Sequence, residues 1–190
     1  QSAMNHAKGR VLDIGCGGGR HALYLQGKGL DVLGIDNSPM AIRTCKERGL
    51  KNIELMDITQ VSRKLGIFDT ITMMGNNFGL FANKKRARWL LKRFHGMTSE
   101  DAYIIAETMD PYQTDKRVHR DYHKYNRQRG RMGGQVRIRA RYQKYKTPWF
   151  DYLLVSKKEL EGLLEGTGWK VRKYLDGPGG MYVMILEKVR

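Results

Sequence analysis

The sequence predicts an α/β fold, with a mostly parallel sheet and helices on both faces. Three observations predict it. Strand-like and helix-like segments alternate along most of the 190 residues, the pattern of crossover units. A glycine-rich turn, Gly15–Gly19, joins the first strand to the first helix. The chain closes on two strand-like segments around Gly177-Pro-Gly-Gly180, a hairpin that sets the last strand antiparallel to the others.

Arg10–Ile14 reads as a buried first strand, and Arg20–Gln26 as a helix stopped by Gly27 and Gly29. Asp31–Ile35 is the second strand and ends at Asp36. Ser38 suits a helix cap and Pro39 the first helical position, so a helix runs from there to Arg48. Asn52–Met56 and Phe68–Met74 are the third and fourth strands. Lys84–Phe94 is helical, with Ala87, Leu90, Leu91 and Phe94 on one face. Ala102–Glu107 is the fifth strand. Ser156-Lys-Lys-Glu159 has the form of a capping box and opens a helix through Glu165. Trp169–Leu175 and Met181–Lys188 make the closing pair, for seven strands in all.

Length and composition fit one domain, residues 1–190, with a sizeable core: 41% of residues are hydrophobic and 28% charged. No apolar run is long enough to span a bilayer, so no membrane insertion is expected. Two cysteines, Cys16 and Cys45, form no disulfide framework, and a reducing, cytoplasmic setting is expected. The net charge of +16 points to polyanionic partners or to a solvated basic surface. Residues 111–150 hold twelve Lys or Arg against two Asp, a net of +10, so the other 150 residues carry only +6.

The turn Val11-Leu-Asp-Ile-Gly-Cys-Gly-Gly-Gly-Arg20 has glycines at 15, 17 and 19, where backbone turns sharply and approaches a ligand closely. A nicotinamide dinucleotide fingerprint would place its third glycine at Arg20, so this spacing argues against one. Asp13 lies two residues before the first glycine. Asp36, at the end of the second strand, stands where a carboxylate accepts ribose hydroxyls.

These residues resemble the class I S-adenosylmethionine-dependent methyltransferases, and the resemblance runs from Val11 to Lys188. Val-Leu-Asp-Ile-Gly-Cys-Gly-Gly-Gly is similar to the family's first motif and Gly34-Ile-Asp-Asn-Ser-Pro-Met40 to its second. Met56-Asp57-Ile58 resembles its acidic adenine contact, and Phe68–Leu80 its fourth motif. The resemblance implies a Rossmann-like, seven-stranded sheet and S-adenosylmethionine as cofactor, with S-adenosylhomocysteine as product. It implies that Gly15, Cys16, Gly17 and Gly19 wrap the methionine part through their backbone while Asp13 steers its ammonium. Asp36 and Asn37 would hold ribose and adenine, Asp57 would accept the adenine amino group with Ile58 on the ring, and Gly75 and Asn76 would line the sulfonium. Asp57 is alternatively a helix cap, and Cys16 a space-filler. The family's helix before the first strand lids the cofactor. Only nine residues precede Arg10, so that lid is expected to be short or missing from this chain.

The fourth motif reads Gly75-Asn76-Asn77-Phe78-Gly79, unlike the Asn/Asp-Pro-Pro-Tyr/Phe form of amino methyltransferases, and is closer to the small-molecule branch. Asn77 and Phe78 are therefore acceptor-side candidates, although Asn77 also suits a turn cap. Residues 110–150 form a basic, aromatic-rich insertion expected to cover the substrate side. In it, Gln135–Lys146 alternates strictly, predicting one strand with Val136, Ile138, Ala140 and Tyr142 on one face and Arg137, Arg139 and Arg141 on the other. Residues 130–134 read as a turn that adds a hairpin or lid. His119, Arg137, Arg139, Tyr142 and Trp149 are candidates for recognising an anionic or aromatic acceptor, against a plain solvated face. His119 and His123 have i, i+4 spacing but no third ligand, so no metal is expected. Three functions follow: a methyltransferase for a small acidic or aromatic molecule, an RNA methyltransferase using the insertion, and a non-catalytic cofactor- or nucleic-acid-binding module. The acceptor atom, a catalytic residue and the oligomeric state are not specified by the sequence.

Overall fold

A computed structural model describes residues 2–189. Seven strands form one sheet: β1 (Arg10–Ile14), β2 (Asp31–Asp36), β3 (Asn52–Leu55), β4 (Phe68–Met73), β5 (Thr98–Met109), β10 (Trp169–Asp176) and β11 (Met181–Lys188). Their order is β10-β11-β5-β4-β1-β2-β3. β1 through β5 are mutually parallel, and β11 runs antiparallel to both β5 and β10, so the closing hairpin lies where expected. The order reverses between β1 and β4, where a parallel sheet opens a crevice at its carboxyl ends.

Alternation along buried strands divides the core between the two faces of the sheet. Leu12, Ile14, Ile71 and Met73 pack with α3 (Lys84–His95) and α5 (Lys157–Leu164) through Leu90, Leu91, Phe94 and Leu160. Val11, Val32 and Ile105 pack on the other side with Ala22 and Leu25 of α1 (Arg20–Gly27) and Cys45 of α2 (Pro39–Glu47). Ser38 caps α2 by accepting from the Ala41 N–H at 3.3 Å, and Ser156 and Glu159 form the capping box of α5. Both helices therefore start where the sequence sets them.

The insertion departs from the expected single strand. It folds as α4 (Arg117–Gln128), β6 (Gln135–Ile138), the short pair β7 (Arg141–Tyr142) and β8 (Tyr145–Lys146), and β9 (Phe150–Leu153). The strand breaks after Ile138 because the β6 ladder is with β9, not with what precedes it, and ends at the Ile138–Phe150 pair. Ala140 and Thr147 then exchange hydrogen bonds, and Gln143, at φ 50°, turns the chain into the β7–β8 hairpin. The turn at 130–134 links α4 to β6 instead of closing a hairpin of its own. β5 is also longer than expected, because its polar start, Ser99-Glu-Asp101, hides the strand from a hydrophobic reading.

Candidate active site

Gly15, Gly17 and Gly19 have φ of 69°, 54° and 78°, a left-handed region that favours glycine. A Cβ at Gly15 would stand 2.6 Å from Asn77 Nδ2, whereas one at Gly17 would meet nothing within 4 Å. The Gly17 backbone thus turns over open space. Its N–H donates to Asp36 Oδ2 at 2.9 Å, and the Ser38 N–H donates to Asp36 Oδ1 at 2.9 Å. Asp36 is held rigidly at the tip of β2, and a carboxylate's several lone pairs leave acceptor capacity beyond these two bonds.

At the tip of β3, Asp57 accepts from Thr59 N at 2.9 Å and Thr59 Oγ1 at 2.6 Å, with Arg86 at 3.7 Å. Burial opposes its ionisation, but hydrogen bonds from Thr59 and Asn37 and the charge of Arg86 outweigh it and hold its carboxyl below the usual value. Asp57 therefore does cap the following turn, through a capping box with Gln60, while still bordering the crevice.

Beyond β4, Gly75 donates its N–H to Glu107 Oε2 at 2.8 Å, and the Asn76 carbonyl accepts from the Tyr152 hydroxyl. Asn76 Oδ1 is buried without a partner. Asn77 donates to the carbonyls of Ile14 at 3.1 Å and Gly15 at 2.8 Å, tying this loop to the glycine turn. Glu107 and Tyr152 were not singled out from the sequence. Burial and the Glu107 charge push the Tyr152 hydroxyl up to about 12. Burial and then Arg20 lower His21, with Glu107 acting against them.

Asp13 is buried between β1, β4 and the start of α1. Its Oδ1 accepts from Thr72 Oγ1 at 2.7 Å, and its Oδ2 has no partner. Burial raises its pKa from 3.8 to about 6, assisted by Asp36 and opposed by hydrogen bonds from Thr72 and Ala22. Such a carboxyl supports the fold most fully below 3.8, and that support disappears as pH rises through about 6. The shift corresponds to about 3 kcal/mol. Asp13→Asn should thus gain about 2 kcal/mol relative to the parent between pH 4 and pH 7, because part of the support is already lost at pH 4. Urea denaturation at both pH values checks this, and a pH-independent difference contradicts it.

These strand ends border one cleft of about 1080 Å³. Gly15, Asp36, Asn37, Asp57, Ile58 and Asn77 line it, and Arg137 and Trp149 of the insertion close over it. Gly17, Gly19, Gly75 and Asn76 stand outside this lining, as does Asp13. The Cys16 side chain packs into the core with Ala22 and Cys45, as its space-filling reading expects, and burial pushes its thiol up, so only its backbone is available to a ligand. Two expectations need correction, those for Phe78 and Tyr142. Phe78 is fully buried, edge-on to Phe81 with centroids 4.8 Å apart, and cannot face an acceptor. His119 borders a different cavity, with its ring held 2.9 Å from Thr114 Oγ1. Tyr142 is 71% exposed on the β7–β8 hairpin, away from the cleft. Arg139 reaches the cleft only through its stack on Trp149, at 4.8 Å. Among the described residues, no cluster of three or more His, Cys, Asp or Glu could hold a metal ion.

A protein-family profile described as a methyltransferase domain matches residues 11–100. A 2-heptyl-1-hydroxyquinolin-4(1H)-one methyltransferase of Mycobacteroides abscessus is 42% identical over 69 residues, 33% of this chain and 30% of that protein. A glycine/sarcosine N-methyltransferase of Halorhodospira halochloris is 28% identical over 104 residues, 52% of this chain and 39% of that protein. The chain spans less than half the length of these curated relatives. Among solved structures, a methyltransferase from Bacteroides fragilis in complex with S-adenosyl-L-homocysteine superposes with a TM-score of 0.82 at 24% identity, covering 100% of this chain and 76% of the other. With the strand order, the reversal between β1 and β4 and the glycine turn, these matches identify residues 11–100 as a methyltransferase domain, on a class I S-adenosylmethionine-dependent methyltransferase fold that the rest of the chain completes.

Proposed function

We propose that this chain transfers a methyl group from S-adenosylmethionine to a small-molecule acceptor, leaving S-adenosylhomocysteine. The observation that carries the reading is Asp36, fixed at the tip of β2 by two backbone N–H groups and bordering a cleft of cofactor size. The cofactor supplies an already activated methyl group. Asp36 accepts the ribose hydroxyls, Asn37 and Asp57 meet the adenine edge, and Ile58 packs on the ring. The backbone of Gly15–Gly19 encloses the methionine part, and the partnerless Asp13 oxygen complements its ammonium. Gly75 and Asn76 border the sulfonium. The whole of residues 1–190 acts as one domain in a reducing, cytoplasmic setting, with 110–150 over the acceptor side.

The names of two relatives support a small acceptor: a hydroxyquinolone for one, and glycine or sarcosine for the other. The test is incubation with S-adenosylmethionine and a metabolite extract, followed by mass spectrometry. Production of S-adenosylhomocysteine together with a methylated metabolite supports the reading. Bound cofactor with no turnover favours a non-catalytic module.

The β7–β8 hairpin favours a second reading, an RNA acceptor. Residues 139–150 contain no acidic side chain and expose Tyr142, Tyr145 and Trp149, with Arg139 over Trp149 and Lys144 over Tyr145. Stacking aromatics beside cations suit single-stranded nucleic acid. About five phosphate contacts predict a loss of roughly 100-fold in RNA affinity between 50 and 200 mM salt. Weak binding that barely responds to salt, measured by fluorescence anisotropy, sinks this reading.

A further inference from the structure

We propose that a second cavity, of about 740 Å³ beneath α4, seats the methyl acceptor, and that this acceptor is an apolar aromatic molecule whose hydroxyl donates a hydrogen bond to His123. The acceptor role rests on the function proposed above. The cavity itself rests on independent observations.

Its position is the first of these. The β6–β9 ribbon contributes residues to both cavities. Arg137 and Asp151 pair across it and border the cofactor cleft, whereas Val136 and Leu154 border the second cavity. Tyr152 pairs with Val136, and its hydroxyl reaches the Asn76 carbonyl. Met109, which also borders the second cavity, lies two residues along β5 from Glu107, which holds the Gly75 N–H at 2.8 Å. The cavity therefore opens at the carboxyl end of β5, the strand next to β4, two residues beyond the Glu107 that holds Gly75.

Its chemistry is the second. Met109, Pro111, Val118, Tyr122, Val136 and Leu154 offer an apolar wall, which suits the body of an aromatic ligand. His123 is 7% exposed, lies edge-on to Tyr112 at 5.1 Å, and borders the same space. No hydrogen bond ties its ring nitrogens to the described residues. Burial, then the charges of Arg127 and His119, hold its pKa below the usual value, against the pull of Glu159 and Asp110. A neutral imidazole keeps one nitrogen free to accept. Because His123 borders the cavity, a hydroxyl bound there can donate to that nitrogen.

Calorimetry on the full chain with 1-naphthol as probe, with and without saturating S-adenosylhomocysteine, tests this. Both compounds should bind together, one of each per chain. Val136→Trp, which fills the cavity, should abolish 1-naphthol binding and leave S-adenosylhomocysteine affinity within about twofold. His123→Phe keeps the ring but loses the acceptor, and should weaken 1-naphthol about tenfold while sparing naphthalene, which has no hydroxyl. Val118 is 68% exposed on α4, so Val118→Glu charges the wall without disturbing the core and should also weaken 1-naphthol. Competition between the two compounds, unchanged 1-naphthol affinity in Val136→Trp and Val118→Glu, or no 1-naphthol binding to the parent overturns the cavity assignment. Absence of S-adenosylhomocysteine binding with 1-naphthol retained instead overturns the cofactor reading and the acceptor role with it.

Discussion

Asp36→Ala is expected to lower affinity for S-adenosylhomocysteine by roughly 100-fold or more, as read by calorimetry on folded protein. Hydrogen bonds to a charged group contribute about 1.5–3 kcal/mol each. In the proposed pose two ribose hydroxyls share one carboxylate, which places the loss at about 3 kcal/mol or above, roughly 100-fold. The substitution acts a second way. It leaves the Gly17 and Ser38 N–H groups without their side-chain partner, so the turn that encloses the ligand loosens too. Asp36→Asn separates the two contributions. It keeps one acceptor oxygen but sets an amide donor against a backbone donor, and an intermediate loss is expected. An alanine variant that binds as tightly as the parent removes Asp36 from the site.

The second large effect is on stability. Phe78→Ala costs about 3–5 kcal/mol, the usual range for deleting a fully buried aromatic ring. Phe78 meets Phe81 edge-on, and Phe81 in turn lies 6.0 Å from Phe94 of α3, so the cavity left behind adjoins a buried aromatic cluster. Urea denaturation should show the midpoint falling with little change in slope. A variant as stable as the parent would mean that Phe78 does not fill the core.

Phe78 also shows what a linear reading misses. It lies in a short 3-10 turn, Asn77–Phe81, where neither the period of a strand nor that of an α-helix assigns a face. Most of the parallel strands were legible because they are short apolar runs with a turn signal at the end, and Asp36 was legible because spacing alone put a carboxylate at a strand tip. Asp57 kept two readings in the sequence, and the structure keeps both: it caps and it borders the cleft. The insertion was not legible in the same way. Its alternation across 135–146 is real, but pairing with β9 ends at Ile138, and the next turn is made by Gln143, a residue with no turn signature. Glu107 and Tyr152 gave no signal because their partners, Gly75 and Asn76, lie 32 and 76 residues away.

Native mass spectrometry of the full chain with S-adenosylhomocysteine, and separately with NADH, tests the central claim most directly. One S-adenosylhomocysteine per chain, lost in Asp36→Ala, with no NADH retained, is the predicted spectrum. Retention of NADH, or S-adenosylhomocysteine bound equally by parent and variant, would contradict a cofactor site built from the glycine turn and the acidic tip of β2.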